Sequence, residues 1–293
     1  MTVVRIAITR GLWAFVVAAG VAFVALGTRN HRDPSAVLLA LNVCTLGAVL
    51  VAEEIAPHRR EWSALTDRQS LNDLGHGLLQ NQLGERLGDL LLPTLAAAAA
   101  SSLTALVHRS VWPTGWPLAA QVLLGVVVAD GLDYWKHRAL HTTLGWRLHA
   151  LHHGITRLHA LRSARSHFVE VVLRFLFVYV PLVAVGAPRE VLFWHAALIG
   201  MLGVVGHSNV RLRLPAALHW ILMTPHVHRL HHSNERALAD SNFANVLPLW
   251  DVLFGTFSDP HVHVLRGVGV IDDELPTGFL RQVLAPFRSG RPT

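Results

Sequence analysis

Six apolar runs, at 11–26, 35–52, 88–107, 117–135, 168–187 and 190–206, each come near the ~20 residues that carry an α-helix across a bilayer core. Composition agrees. Of the 293 residues, 52% are hydrophobic and 15% charged, against about 25% charged in soluble domains. Mean hydropathy is +0.40. The expected fold is an all-α polytopic membrane protein with four to six transmembrane helices.

The first run follows Arg5 and Arg10 and looks like a secretion signal. With no small-residue cleavage site and further spans behind it, it reads as a retained helix. The short polar link 28–34 makes a hairpin of the first two runs, and Gly186-Ala187-Pro188 marks a turn between the last two. Arginines in short loops then set the orientation. Arg5, Arg10, Arg59, Arg60, Arg68 and Arg86 fall on one side, Arg29, Arg32, Arg109 and Arg189 on the other, so the first side is expected to be cytoplasmic. Everything from 137 to 165 and after 207 falls on that first side.

Formal net charge is +6, and Lys136 is the sole lysine among 25 basic residues. An arginine bias of this kind suits a GC-rich bacterial source. The arginines lie beside apolar runs, where they meet lipid headgroups, so a nucleic-acid partner is not expected. Two further stretches read as amphipathic helices in the headgroup layer. One alternates Leu71, Leu74, Leu78, Leu83, Leu87 and Leu90 with polar residues; the other carries Phe279, Leu280, Val283, Leu284 and Phe287. Cys44, the single cysteine, can form no intramolecular disulfide and reads as a small core hydrophobe. The chain is expected to divide into an N-terminal membrane region (1–116), a histidine-rich region (117–260) and an amphipathic tail (261–293).

Histidine is the outlier, with 20 residues, fourteen of them between His137 and His232. Three clusters stand out: His137 and His141; His149, His152 and His153; His228, His231 and His232. Spacings of three and four residues bring imidazoles together on one face of a helix. Eight imidazoles exceed what one tetrahedral zinc needs and suit two ions with open positions for dioxygen or water. Two redox-active irons at such a site could oxidise an unreactive C–H bond. Metal-bound histidines usually donate their second N–H to a carboxylate or carbonyl. Asp130 and Asp133, at the end of the fourth run, and Asn234, Asn242, Asn245 and Asp251, after the third cluster, are candidates for that supporting role.

These residues resemble the fatty acid hydroxylase/sterol desaturase superfamily of membrane di-iron enzymes over roughly 130–257. The match runs through Asp133-Tyr134-Trp135-Lys136-His137-Arg138 and His141, Trp146-Arg147-Leu148-His149 to His152-His153, Arg165-Ser166-His167 and Glu170. It continues with His207-Ser208-Asn209, Thr224-Pro225 with His228-Arg229-Leu230-His231-His232-Ser233, Asn242 to Asn245, and Trp250-Asp251-Val252-Leu253-Phe254-Gly255-Thr256. The resemblance adds His207 as a ninth ligand. Arg211 stands where some members have a further histidine, and His167-Phe168 departs from the usual His-Pro, so His167 carries over as a supporting residue, with Glu170. The resemblance implies a histidine-rich helical cap facing the cytoplasm, in a bacterial inner membrane, with two iron ions. The expected reaction is O2-dependent hydroxylation or desaturation of a lipid: a sterol, hopanoid, fatty acyl chain or ether lipid. The nine histidines would be ligands and catalytic centre together. The sequence carries neither C-x-x-C-H nor G-x-G-x-x-G, so electrons are expected from a separate ferredoxin, cytochrome or reductase.

Two rival readings are a zinc-dependent lipid hydrolase with Glu170 as general base and a metal transporter. The first needs three protein ligands and leaves the other histidines without a role; the second places its ligands near the membrane midplane. His219 and His226 are poor ligand candidates. His31, His58, His76, His108, His261 and His263 read as solvated or interfacial, and His195 as buried in a span or near the lipid's path. Trp62, Trp112 and Trp116 read as interfacial anchors.

Overall fold

The computed structural model describes residues 3–107, 111–270 and 275–288, the stretch 102–107 by its backbone alone. His108 and Arg109 lie outside the described residues. Thirteen α-helices follow one another among them: α1 (Val3–Arg29), α2 (Pro34–Ile55), α3 (Ser70–Leu79), α4 (Arg86–Val107), α5 (Leu118–Leu140), α6 (Thr143–His153), α7 (Phe168–Arg174), α8 (Val180–Ala184), α9 (Arg189–Gly206), α10 (Pro225–His231), α11 (Arg236–Ala239), α12 (Leu249–Leu253) and α13 (Phe279–Leu284). No strand occurs among the described residues; two isolated bridges, Pro57 with Val210 and Ser233 with Val268, tie loops together. The protein is an all-α polytopic membrane protein.

Four helices, α1, α2, α5 and α9, are long and apolar enough to span a membrane. Asp33 starts α2 by accepting from the Ala36 N–H at 2.8 Å, and Pro34 supplies a helix-ready φ at the first position. Helix α9 lies against α1, α2 and α5, with Val24, Leu41, Val49, Val126, Met201, Leu202 and Val205 buried between them. Gly125 of α5 sits where any Cβ would collide with Val191 of α9, so its lack of a side chain permits the close approach. The outward faces keep large apolar residues such as Phe15, Phe23, Leu39, Val43 and Leu123 exposed, as lipid-facing helices require.

The third and fifth apolar runs are not among these four. The fifth forms contiguous helical pieces of 7, 5 and 5 residues, α7, a π-helical turn at Phe175–Tyr179 and α8. At 1.5 Å per residue this reaches about 25 Å, short of the ~30 Å hydrocarbon core. The third run and the interfacial stretch before it join in one path: α3, a π-helical turn at Gln80–Glu85, then α4. Leu71, Leu74 and Leu78 face outward there, in keeping with a headgroup-layer helix.

Several placements differ from expectation. Cys44 is exposed on α2, outside the core. Trp62 is buried with Ile155 and Leu158 and carries the Arg59 guanidinium 4.8 Å above its ring. Trp112 is buried, its indole N–H donating to Gln121 Oε1 at 2.9 Å. Trp116 alone of the three is exposed. His76 is also buried; its ring packs 4.9 Å from that of Phe279 and its Nε2 lies 3.1 Å from Gln282 Oε1, which fastens α13 to α3. A salt-bridge cluster anchors the linker after α6: Arg162 pairs with Asp67 and Asp73, and Arg165 with Asp73 at 3.0 Å.

Candidate metal centre

The ends of α5 and α9 and the short helices α6 and α10 meet at one end of the four-helix bundle. All nine histidines singled out above come together there, in two groups. His137, His141, His149, His153 and His231 form one; His152, His207, His228 and His232 form the other, and within each group one nitrogen from every ring lies within 4.8 Å of the others. Each five-residue HxxHH motif is divided. The i, i+4 pair His149 and His153 enters the first group and His152 the second; the i, i+4 pair His228 and His232 enters the second and His231 the first. Helices α6 and α10 thus contribute to both groups in opposite proportion.

The Nδ1 atoms explain how the rings are aimed. His137 Nδ1–H donates to the Phe243 carbonyl (2.7 Å), His152 to Arg165 (3.0 Å), His207 to Gly203 (2.7 Å) and His231 to Ser241 (2.8 Å). His149 donates to Glu170 Oε2 at 2.9 Å, and His141 to Asp240 Oδ1 at 3.1 Å. A neutral ring that donates through Nδ1 keeps a lone pair on Nε2. His137 and His149 nevertheless bring their Nε2 atoms to 3.0 Å, and His152 and His207 to 3.2 Å. No proton is left to lie between them, so these contacts repel unless a cation sits among them. His228 and His232 add Nε2 atoms 3.1 Å from that of His207. Ligands about 2.1 Å from one ion at 90–109° stand roughly 3.0–3.4 Å apart. His141 Nε2 is buried and has no hydrogen-bond partner among the described residues. The donor set fits two metal ions.

Burial keeps these rings uncharged. Desolvation, and after it the charge of neighbouring groups, holds His149, His153, His207, His228, His231 and His232 well below the ordinary histidine value, and His152 down to about 4. Neutral imidazole is the ligand form, so the site is protonically ready at neutral pH.

Of the supporting residues expected from sequence, Glu170 is the one on a histidine. It also closes a capping box with His167, whose Nδ1 accepts from the Val169 N–H at the start of α7. His167 touches none of the nine; its Nε2 reaches the Val283 carbonyl at 3.0 Å. Asp133 does not reach His137, although four residues before it on one helix. Its oxygens pair with Lys136 (2.6 Å) and Arg174 (3.4 Å) and accept from Asn245. Buried Lys136 and half-buried Arg174 attract the carboxylate more strongly than a neutral ring does.

Asp130 accepts from the backbone N–H of Asn245, Val246 and Leu247, and Asp251 from those of Phe243 and Ala244. Together they shape the loop whose Phe243 carbonyl receives His137. Asn242, at φ +55°, turns the chain into that loop and bonds to Val227 and Ser258. Asn234 meets none of the nine; its backbone N–H donates to the Gly267 carbonyl.

Sequence reasoning missed Asp240 and the four carbonyls, since a backbone carbonyl has no residue signature. It also missed Glu53, which accepts from the Asn209 N–H (2.7 Å) and the Ala160 N–H (2.8 Å) and so ties the segment after His207 to the linker after α6. His195 is fully buried in α9, with neither ring nitrogen bonded among the described residues. His219 donates to or accepts from Thr224 Oγ1 at 2.8 Å and, with His226, stays out of both groups.

Known proteins share this pattern. The family model described as "Fatty acid hydroxylase" matches residues 122–256. The ornithine lipid hydroxylase OlsE of Rhizobium tropici is 34% identical over 293 residues, covering 97% of this chain and 86% of that protein. The alkylglycerol monooxygenase of Homo sapiens is 29% identical over 65% of this chain. The very-long-chain aldehyde decarbonylase GL1-2 of Oryza sativa subsp. indica is 32% identical over 59%. This chain spans 45% and 28% of the lengths of those last two. No solved structure matches it. The arrangement of histidines at the end of a membrane bundle, with full-length similarity to a lipid hydroxylase, makes this chain a member of the fatty acid hydroxylase superfamily.

Proposed function

We propose that this chain is a two-iron, O2-dependent hydroxylase of a membrane lipid, with the nine histidines as ligands. The observation that carries the proposal is the pairing of lone-pair-bearing Nε2 atoms at 3.0–3.2 Å in two separate groups. All-nitrogen sites suit iron, zinc or copper, and nine imidazoles exceed the three protein ligands of a zinc hydrolase. Bound iron would supply activation of O2 and removal of hydrogen from an unactivated C–H bond.

The protein's own part is to aim and insulate. Glu170 and Asp240 orient His149 and His141, and four carbonyls orient four more rings. Asp251 and Asp130 keep the Phe243 carbonyl in position. Eight of the nine rings are buried, which excludes bulk water. In this reading the groups face the cytoplasm, as the arginine bias of the short loops favours. A separate redox protein supplies electrons, and the lipid chain arrives from the bilayer beneath the site.

The similarity to an ornithine lipid hydroxylase over almost the whole chain makes ornithine lipid the first substrate to test, and hydroxylation the first outcome. The experiment reconstitutes the iron-loaded protein in lipid nanodiscs with ornithine lipid, NADPH, ferredoxin, ferredoxin reductase and isotopically labelled O2. The expected product is the parent lipid carrying one labelled oxygen. Release of a fatty acid without label would contradict the proposal and favour the hydrolase.

A further inference from the structure

The N-terminal end of α1 lies at the histidine end of the bundle, and the helix is longer than a bilayer core is thick. Its 27 residues reach about 40 Å, against ~30 Å of hydrocarbon. Arg5, in its first turn, therefore belongs to the headgroup layer. The segment leaving α9 crosses that turn. Arg211 N–H donates to the Ala56 carbonyl at 2.9 Å, and Arg213 N–H to the Thr9 carbonyl at 2.7 Å. Between these two ties lies a small recess of about 70 Å³, lined by Arg5, Thr9, Ala56 and Arg211. The Thr9 hydroxyl is spent on the Ile6 carbonyl at 3.1 Å, so Arg5 and Arg211 are the charged residues among those lining the recess.

Several arginines at this end of the bundle have partners. Arg229 donates to the Ser208 and Val210 carbonyls, Arg162 pairs with Asp67 and Asp73, Arg165 with Asp73 and Arg174 with Asp133. Among the described residues, the side chains of Arg5 and Arg211 make no ion pair and no hydrogen bond. Of the nearby carboxylates, Glu53 accepts from two backbone N–H groups through Oε1 and Glu54 accepts from Ser63. The local field is positive. After burial, the charges of Arg229, Arg59 and Arg211 hold neighbouring His58 down to about 3. Exposed Val4 and Ile6 flank Arg5 on α1 and offer an apolar surface beside the cationic one.

We propose that this recess binds the phosphoryl group of an anionic membrane lipid, with Arg5 and Arg211 as its charge-assisted donors and the acyl chains lying along α1. Inorganic phosphate shares the headgroup chemistry but cannot use the apolar flank. The site bridges α1 to the segment that begins at His207 and that Arg229 ties to α10, so occupancy clamps the outer helix to the ligand-bearing layer.

The test measures thermal unfolding of the full chain in detergent with phosphatidylglycerol, with phosphatidylcholine, or with inorganic phosphate. The parent and an Arg5→Gln/Arg211→Gln variant are compared. Phosphatidylglycerol should raise the parent midpoint by a few degrees over phosphatidylcholine, leave the variant unmoved, and inorganic phosphate should do nothing. Equal protection of parent and variant would overturn the proposal, and protection by inorganic phosphate alone would overturn the lipid assignment. Should the variant fail to fold, native mass spectrometry of the parent decides. Selective retention of phosphatidylglycerol over phosphatidylcholine is expected, and equal retention contradicts the proposal.

Discussion

His152 and His153 are adjacent in sequence and serve different groups: His152 Nε2 lies 3.2 Å from His207 Nε2, and His153 Nε2 lies 3.1 Å from His231 Nε2. One turn of α6 therefore feeds two sites, and the two groups are unequal, with four and five rings. On the proposed assignment, His152→Ala leaves three ligands in the smaller group, whereas His153→Ala leaves four in the larger. Both variants should lose hydroxylation. His152→Ala should also lose metal more readily on dialysis against a mild chelator, as measured by elemental analysis. Equal retention by the two variants would contradict the partition.

Glu170 acts through His149. Glu170→Ala should lower iron affinity or turnover by about 10–100-fold, the usual cost of removing an acceptor behind a ligating histidine. Glu170→Gln keeps an oxygen for the His149 N–H while placing its NH2 where Oε1 accepts from the His167 N–H, so it should restore much of the loss at His149 and leave the cap of α7 weakened. A titration of iron into apo-protein reads both, and an equal deficit in the two variants would show that charge, not orientation, is what Glu170 supplies.

Packing of α5 on α9 positions His137 and His207 at one end of both helices. Gly125→Leu drives a side chain into Val191 at this contact and should cost about 1–3 kcal/mol, the range for overpacking a close-fitted core. The readout is thermal unfolding in detergent. An unchanged midpoint would mean that the two helices are free to separate there.

Asp67 should give the protein an acid limb. Burial works against its ionisation, but the hydrogen bond from His159, the Gln69 N–H and the charge of Arg162 outweigh it and hold the carboxyl well below the ordinary range. A depressed folded value stabilises the fold fully above the unfolded value of about 3.9 and progressively less below it. The difference in unfolding midpoint between parent and Asp67→Asn should therefore be constant at pH 5–7 and shrink below pH ~4.

Particular residues mark how far the sequence could be read. The i, i+4 pairs His149/His153 and His228/His232 were legible because helical periodicity is local. How HxxHH divides was not, since that depends on how α6 and α10 are rotated against each other. Asp133 illustrates the same boundary: spacing aimed it at His137, and Lys136 with Arg174, the latter distant in sequence, drew it away. Apolar length marked α1, α2, α5 and α9, but it did not mark the π-helical turn at Phe175–Tyr179 or the shortness of the 168–184 path, which lies against α4 and α5. The buried positions of Trp62 and Trp112 likewise rest on partners distant in sequence, Ile155 and Leu158 for the first and Val178 and Leu182 for the second.

The central claim is the two-metal centre, and metal content per polypeptide tests it most directly. The protein is purified anaerobically in mild detergent, beside a His152→Ala/His231→Ala variant that removes a ligand from each group, with iron and zinc counted separately. Close to two irons per chain in the parent, lost in the variant, is the predicted result. A single zinc with no iron, and no O2 consumption after iron is added back, would contradict it.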